Sequence, residues 1–182
     1  MRDLVLIVVL LCSVAASAEE KLSAEPDWCD YAWDAENQPV PPRLNLPKWV
    51  CEVVTKRGLA KNYSPMVDIN PFFLTGDFDG DHQTDIAIWI KNKQTGQYGL
   101  AIIHYRGRKL FLIGAGSPTE ERGSDLNGLD MWTLIPKGRL ESPYEEKAVT
   151  LVGDAILLTK SDSASVALYW NGKAYAWFQI SD

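Results

Sequence analysis

The stretch PFFLTGDFDGDHQTDIAIWI, residues 71–90, decides how the rest of the chain is read. It opens with a short β-rich run, Pro71 to Thr75. A loop of alternating aspartates and glycines follows from Gly76 to Asp85, and a second β-rich run covers Thr84 to Ile90. Ile86 to Ile90 is apolar on both faces of an extended chain, so this strand belongs at the centre of a sheet, covered on both sides. Two extended runs joined by a short polar loop make an antiparallel pair, and no helical pattern separates them.

Downstream the same grammar repeats. Tyr98 to Tyr105 and Lys109 to Ile113 read as strands, joined through turns at Gln94-Thr95-Gly96 and Arg106-Gly107-Arg108. After the polar loop Gly116 to Gly128 a second group follows: Met131 to Ile135, Ala148 to Val152, Ala155 to Thr159, Val166 to Trp170 and Ala174 to Ile180. Asn171-Gly172 is the strongest hairpin signal, because both residues accept positive φ. Strands that do not alternate with helices exclude a parallel α/β sheet. The expected fold is mainly β, about 8–9 strands in antiparallel, blade-like hairpins, with one amphipathic N-terminal helix.

That helix lies upstream, expected over residues 45–57, with Asn45 as cap and Gly58 just past its end. Leu46, Trp49, Val50, Val53 and Val54 form one apolar stripe. Before it, residues 19–44 form an irregular arm broken by Pro39, Pro41 and Pro42. Residues 1–18 read as a secretory signal: Arg2, an apolar run from Leu4 to Leu11, and the small cleavage residues Ala16-Ser17-Ala18. The run is about half the roughly 20 residues a spanning helix needs, so no membrane span is expected after cleavage. Export to the periplasm or beyond the cell follows. Cleavage removes Cys12 and leaves Cys29 and Cys51, which favour one disulfide in an oxidising compartment. Cys51 sits off the apolar stripe, free to reach Cys29 and tie the arm to the helix. The residues 45–182 then make a single β-rich domain.

In the loop, carboxylates stand at relative positions 1, 3, 5 and 9, as Asp77, Asp79, Asp81 and Asp85, and Gln83 stands at 7. Calcium takes six to eight oxygens, which alternate side chains and one backbone carbonyl on a tight loop can supply. Without a cation, each carboxylate pair at 4 Å repels by about 1 kcal/mol even in water. The competing reading is an Asp-Gly turn closed by its own side-chain-to-backbone hydrogen bonds.

The loop and the apolar strand after it resemble the calcium loops of FG-GAP repeats, known from integrin-type propeller blades and related exported bacterial proteins. The resemblance covers about residues 71–116, one blade-length unit. It implies that Asp77, Asp79, Asp81, the Gln83 carbonyl and Asp85 hold a structural Ca²⁺. Where the family usually has glycine after the third carboxylate, this chain has His82, and a Cβ at positive φ costs roughly 1–2 kcal/mol. A closed propeller needs four or more blades, and the strands here suffice for about two. Two small sheets packed together, or a blade pair closed by the helix, is the expected solution.

The composition excludes more than it assigns. With 182 residues, 18 Lys+Arg against 24 Asp+Glu and a net charge of −6, there is no basic excess for generic nucleic-acid binding. Gly114-Ala115-Gly116-Ser117 lacks the following helix of a phosphate-binding turn. His104 shares a strand face with Leu100 and Ile102 and reads as packed; His82 reads as a surface residue. Glu120, Glu121, Asp125 and Asp130 are candidates for a glycosidase pair, but acids on a polar loop read first as solvated. No G-x-S-x-G elbow occurs. Asn62-Tyr63-Ser64 fits a glycosylation acceptor. Trp89, Trp170 and Trp177 fall in expected strands, whereas Trp28, Tyr31 and Trp33 fall in the arm. The expectation is a non-enzymatic, exported, calcium-binding β module that contacts a protein or surface component. The alternative is a carbohydrate-binding or weakly carbohydrate-active protein using exposed aromatics.

Overall fold

The structure is a computed structural model and describes residues 28–29, 44–119 and 122–182. The expected secretory signal over residues 1–18 lies outside the described residues, as does the expected arm apart from Trp28, Cys29 and Leu44.

Helix α1 (Lys48–Arg57) and a single turn, α2 (Leu59–Asn62), precede β1 (Tyr63–Pro65), β2 (Phe73–Gly76), β3 (Asp85–Asn92), β4 (Tyr98–Ile103) and β5 (Leu110–Gly114). The second group is β6 (Met131–Ile135), β7 (Arg139–Leu140), β8 (Val149–Thr150), β9 (Ala155–Thr159), β10 (Ser165–Trp170) and β11 (Tyr175–Ser181). The fold is mainly β, as the sequence predicts. The first sheet runs β1-β3-β4-β5, with β2 also paired to β3; the second runs β11-β10-β9-β6, and β7 pairs β8 alone. All pairs are antiparallel.

Helix α1 starts at Lys48, later than the sequence predicts, and Pro47 rather than Asn45 takes the cap position. The cause is Pro47, whose ring bars the preceding Leu46 from the helical region. Leu46 is buried all the same, alongside Val50, Val53 and Val54. Gly58 ends the helix in the left-handed conformation, its N–H bonded to carbonyls of the last turn. Strands β1 and β7 escape the sequence reading, because two or three residues beside a proline or in a polar stretch carry no period. The expected strand over Ala148–Val152 shrinks to two residues.

Three apolar layers explain why Ile86 to Ile90 has no polar face. The α1 stripe, with Trp28 and Leu44, packs on Ile86, Ile88, Ile90, Ala101 and Ile103. The opposite face of the same sheet, with Ala87, Trp89, Leu100 and Ile102, packs on Trp132, Ile156, Leu158 and Leu168 of the second sheet. A third cluster around Leu140, Leu151, Ala167 and Phe178 covers the far side. Each wholly buried isoleucine contributes roughly 1.5–3 kcal/mol of burial free energy, which holds β3 at the centre. No closed barrel or propeller forms among the described residues; two sheets lie face to face. Cys29 and Cys51 stand at disulfide distance, with Cα atoms 5.6 Å apart, and join the arm to α1.

Candidate metal centre

The aspartate loop connects β2 to β3, and its shape follows from its own side chains. Asp77 Oδ2 accepts the His82 N–H at 3.0 Å, Asp79 Oδ1 the Asp81 N–H at 3.2 Å, and Asp81 Oδ1 the Gln83 N–H at 2.8 Å. Gly80 and His82 take positive φ, 80° and 66°, as the turn requires. His82 is therefore a non-glycine residue in the left-handed region, its side chain 84% exposed.

Each of these carboxylates thus uses one oxygen to shape the loop and turns the other elsewhere. Asp77 Oδ1 is shut off from solvent with no hydrogen-bond donor, and so is Asp81 Oδ2. Arg106 Nε lies 3.0 Å from Asp81 Oδ2, a charge contact without hydrogen-bond geometry, on an exposed side chain. Oxygens of Asp77, Asp79 and Asp81 lie within 4.8 Å of one another. A solvent-excluded carboxylate oxygen without a donor costs free energy, and a cation held by these two oxygens beside Asp79 removes that cost. The donor set, all hard oxygen, fits calcium or another hard divalent ion.

Asp85 takes a different place. It is wholly buried, and its two oxygens accept the Phe78 N–H at 3.0 Å and the Tyr105 N–H at 2.7 Å. One of its oxygens clusters with atoms of Asp79 and His104, whereas the cluster of Asp77, Asp79 and Asp81 does not include it. Burial, partly offset by the bond from Tyr105 and reinforced by the charge of Asp79, pushes its carboxyl up to about 7. Gln83 enters the loop through its N–H.

His104 has polar partners that the sequence reading does not supply. It is 1% exposed and packed, as expected, but its Nδ1 lies 3.1 Å from Asp79 Oδ2 and its Nε2 2.7 Å from the Tyr175 hydroxyl. Burial lowers its pKa, with Asp79 acting in the opposite sense. A neutral imidazole has one donor and one acceptor, so Nδ1–H donates to the carboxylate and Nε2 accepts from Tyr175. Burial also raises the Tyr175 phenol well above its ordinary value. Both ring nitrogens are engaged and sealed from solvent. The signal was in the hairpin: Gln94-Thr95-Gly96 sets the register Ile86↔Ile103, which carries His104 opposite Asp85.

The second sheet completes the site. Asp154 Oδ2 accepts the Asp77 N–H at 3.0 Å, and the Asp154 N–H donates to the Asp77 carbonyl at 2.7 Å. A Cβ on Gly80 would stand 2.3 Å from the Val152 carbonyl, and one on Gly153 would stand 2.3 Å from that of Asp77. Two glycines thus let the turn Val152–Asp154 press onto the aspartate loop.

Other sequence candidates take structural roles. Asp125 Oδ1 accepts the Tyr98 and Asn127 N–H groups, and Asp130 Oδ1 accepts the Ser161 N–H and hydroxyl. Glu120, Glu121, Tyr31 and Trp33 lie outside the described residues. Trp28 is buried, its indole N–H donating to the Tyr63 carbonyl. Gly114 bridges to Ser117 without a helix after it. Among the described residues no helix is long and apolar enough to cross a membrane. No protein-family model, no curated protein and no solved structure matches this chain.

Proposed function

We propose that the chain is an exported, non-enzymatic β module of FG-GAP-like character. In this reading the loop Asp77–Asp85 holds one structural calcium ion, and the protein's task is contact with another protein or surface component. The observation that carries it is the cluster of Asp77, Asp79 and Asp81 oxygens within 4.8 Å of one another, in which Asp77 Oδ1 is shut off from solvent with no donor and Asp81 Oδ2 has only the charge contact of Arg106. Asp77, Asp79 and Asp81 would hold the ion, with the Gln83 carbonyl and Asp85 completing the set that the resemblance implies. His104 holds Asp79 from behind. When bound, the ion neutralises the loop and fixes the turn on which the second sheet rests. The leader-like residues 1–18 support export.

A thermal melt of the mature, oxidised protein in EDTA and in millimolar CaCl₂, with titration calorimetry beside it, tests the reading. At 100 times the dissociation constant one site adds about 2.7 kcal/mol. The expected result is an upward Tm shift with one-site heat, both lost in Asp79→Ala. An Asp79→Ala protein whose melt responds to calcium like the parent would refute the assignment.

A further inference from the structure

At one end the two sheets part. There β5 is the outer strand of the first sheet and β11 the outer strand of the second, and a cleft of about 630 Å³ lies between them. Phe111, Tyr175 and Trp177 line it, with Lys173 at the rim. Among the described residues β11 is covered from Gln179 on, where Glu145 Oε1 accepts the Gln179 N–H and the Ser142 hydroxyl donates to the Ile180 carbonyl, and its first half is open. The runs LFLIG, residues 110–114, and YAWFQIS, residues 175–181, hold no charge and no proline, the usual guards of a free edge. The register irregularity in β11, opposite Ser165 and Val166, lies at its far end.

The hydrogen-bond alternation of antiparallel pairs shows which backbone groups are open. The Asn171 N–H donates to the Ala174 carbonyl, so Ala174, Ala176 and Phe178 face β10. Tyr175, Trp177 and Gln179 then turn their N–H and C=O groups outward, and Gln179 confirms the parity by donating to Glu145 Oε1. On β5, the bonds from His104 to Lys109 and from Ala115 to Tyr98 leave Leu110 and Leu112 facing outward. Among the described residues, the outward groups of Tyr175 and Trp177 have no backbone partner.

The polar side chains here are occupied. Asn171 Oδ1 accepts the Lys173 and Ala174 N–H groups, Thr119 Oγ1 donates to the Gly123 carbonyl, and the Tyr175 hydroxyl serves His104. Little remains for sugar hydroxyls; what the cleft offers is backbone and ring surface. Two positive side chains stand at its described wall: Lys173 lines it, and the Arg122 guanidinium lies 5.5 Å from the Trp177 ring.

We propose that this cleft takes a short extended polypeptide segment of a partner protein, apolar at alternate positions and acidic at one end, that adds a strand to β11. Backbone pairing supplies the affinity, and Phe111 and Trp177 select the apolar side chains. The proposal names the partner that the interaction reading above leaves open and rests on it, but not on the ion.

Selection of a phage-displayed heptapeptide library on the mature, oxidised chain tests it, in EDTA and in calcium separately. The expected consensus alternates apolar residues and carries an acid. The resynthesised peptide slows amide exchange at Tyr175 and Trp177. N-methylation of alternate residues abolishes binding in one phase and spares it in the other. Lys173→Glu weakens the peptide roughly fivefold while the Tm stays put. Absence of a consensus in both buffers, protection elsewhere on the molecule, or indifference to N-methylation in both phases overturns the proposal. So does dimerisation of the chain alone with the same amides protected, which gives the cleft to a second copy. Peptide binding that survives while the calcium melt shift fails sinks the ion reading alone.

Discussion

Asp85 carries two conflicting demands. Its carboxylate fastens the loop to the end of β4 through the Phe78 and Tyr105 N–H groups, yet it is wholly buried, beside Asp79. Folding therefore raises its pKa from 3.8 to about 7. For a group raised on folding, the stabilising contribution is complete below the unfolded value, near pH 4, and is lost as pH rises through about 7. The full span is on the order of 4 kcal/mol. His104, whose pKa burial lowers, works the other way, losing stability as pH falls below its ordinary 6.5. A comparison of parent and Asp85→Asn in EDTA isolates the carboxylate. The Tm advantage of the parent is expected to be largest near pH 4 and to shrink steadily towards pH 7. A constant difference across that range would mean that Asp85 does not titrate there. The carboxylate positions of the loop were legible from spacing alone. That Asp85 binds backbone on both oxygens was not, because Tyr105 reaches it only once the sheet has formed.

At the level of elements, the contact that most affects the site joins the aspartate loop to the turn after β8. The Asp77 N–H and Asp154 are 77 residues apart in sequence, and no local pattern announces such a pair. Gly153 tests it cleanly, since its Cβ would meet the carbonyls of Asp77 and Phe78 and the Gly80 nitrogen, all backbone. Gly153→Ala is expected to lower stability by about 2 kcal/mol or more and to weaken calcium heat together with the Tm. Differential scanning calorimetry with titration on the same sample reads both; an unchanged Tm would show that the two elements part without cost. The hairpins were legible because Asn171-Gly172 and Gln94-Thr95-Gly96 are local signals, and the double-faced Ile86–Ile90 run located the central strand. The start of α1 was misplaced because the cap signal at Asn45 was outweighed by Pro47 two residues on. The packing of His104 against Phe111, Trp170 and Tyr175 joins β4 to β10 and β11 across both sheets, beyond the reach of any window along the chain.

Across the whole molecule the fixtures divide by face. The helix and the Cys29–Cys51 link secure one side of the first sheet, and the second sheet secures the other. Closing the loop between these cysteines restricts the unfolded chain by roughly 3 kcal/mol. A Cys29→Ser, Cys51→Ser protein is expected to fold and melt lower by an amount up to that figure, by circular dichroism; an unchanged Tm would show that the arm is held by Trp28 packing alone. The glycine-lined seat of Val152–Asp154 on the aspartate loop has a further meaning for how such a chain can grow. A structure enlarged by copying its unit needs every copy to offer the next one the same seat. Here the first sheet offers the seat and the turn leading into the second supplies the plug, while the acids between the two groups are used elsewhere, Asp125 on the Tyr98 and Asn127 N–H groups and Asp130 on Ser161. A one-way joint of this kind repeats only where each member carries a seat of its own. Among the described residues both carboxylate clusters lie at this single loop, so the pair has one seat and one plug, and the second sheet carries no matching cluster for a further member.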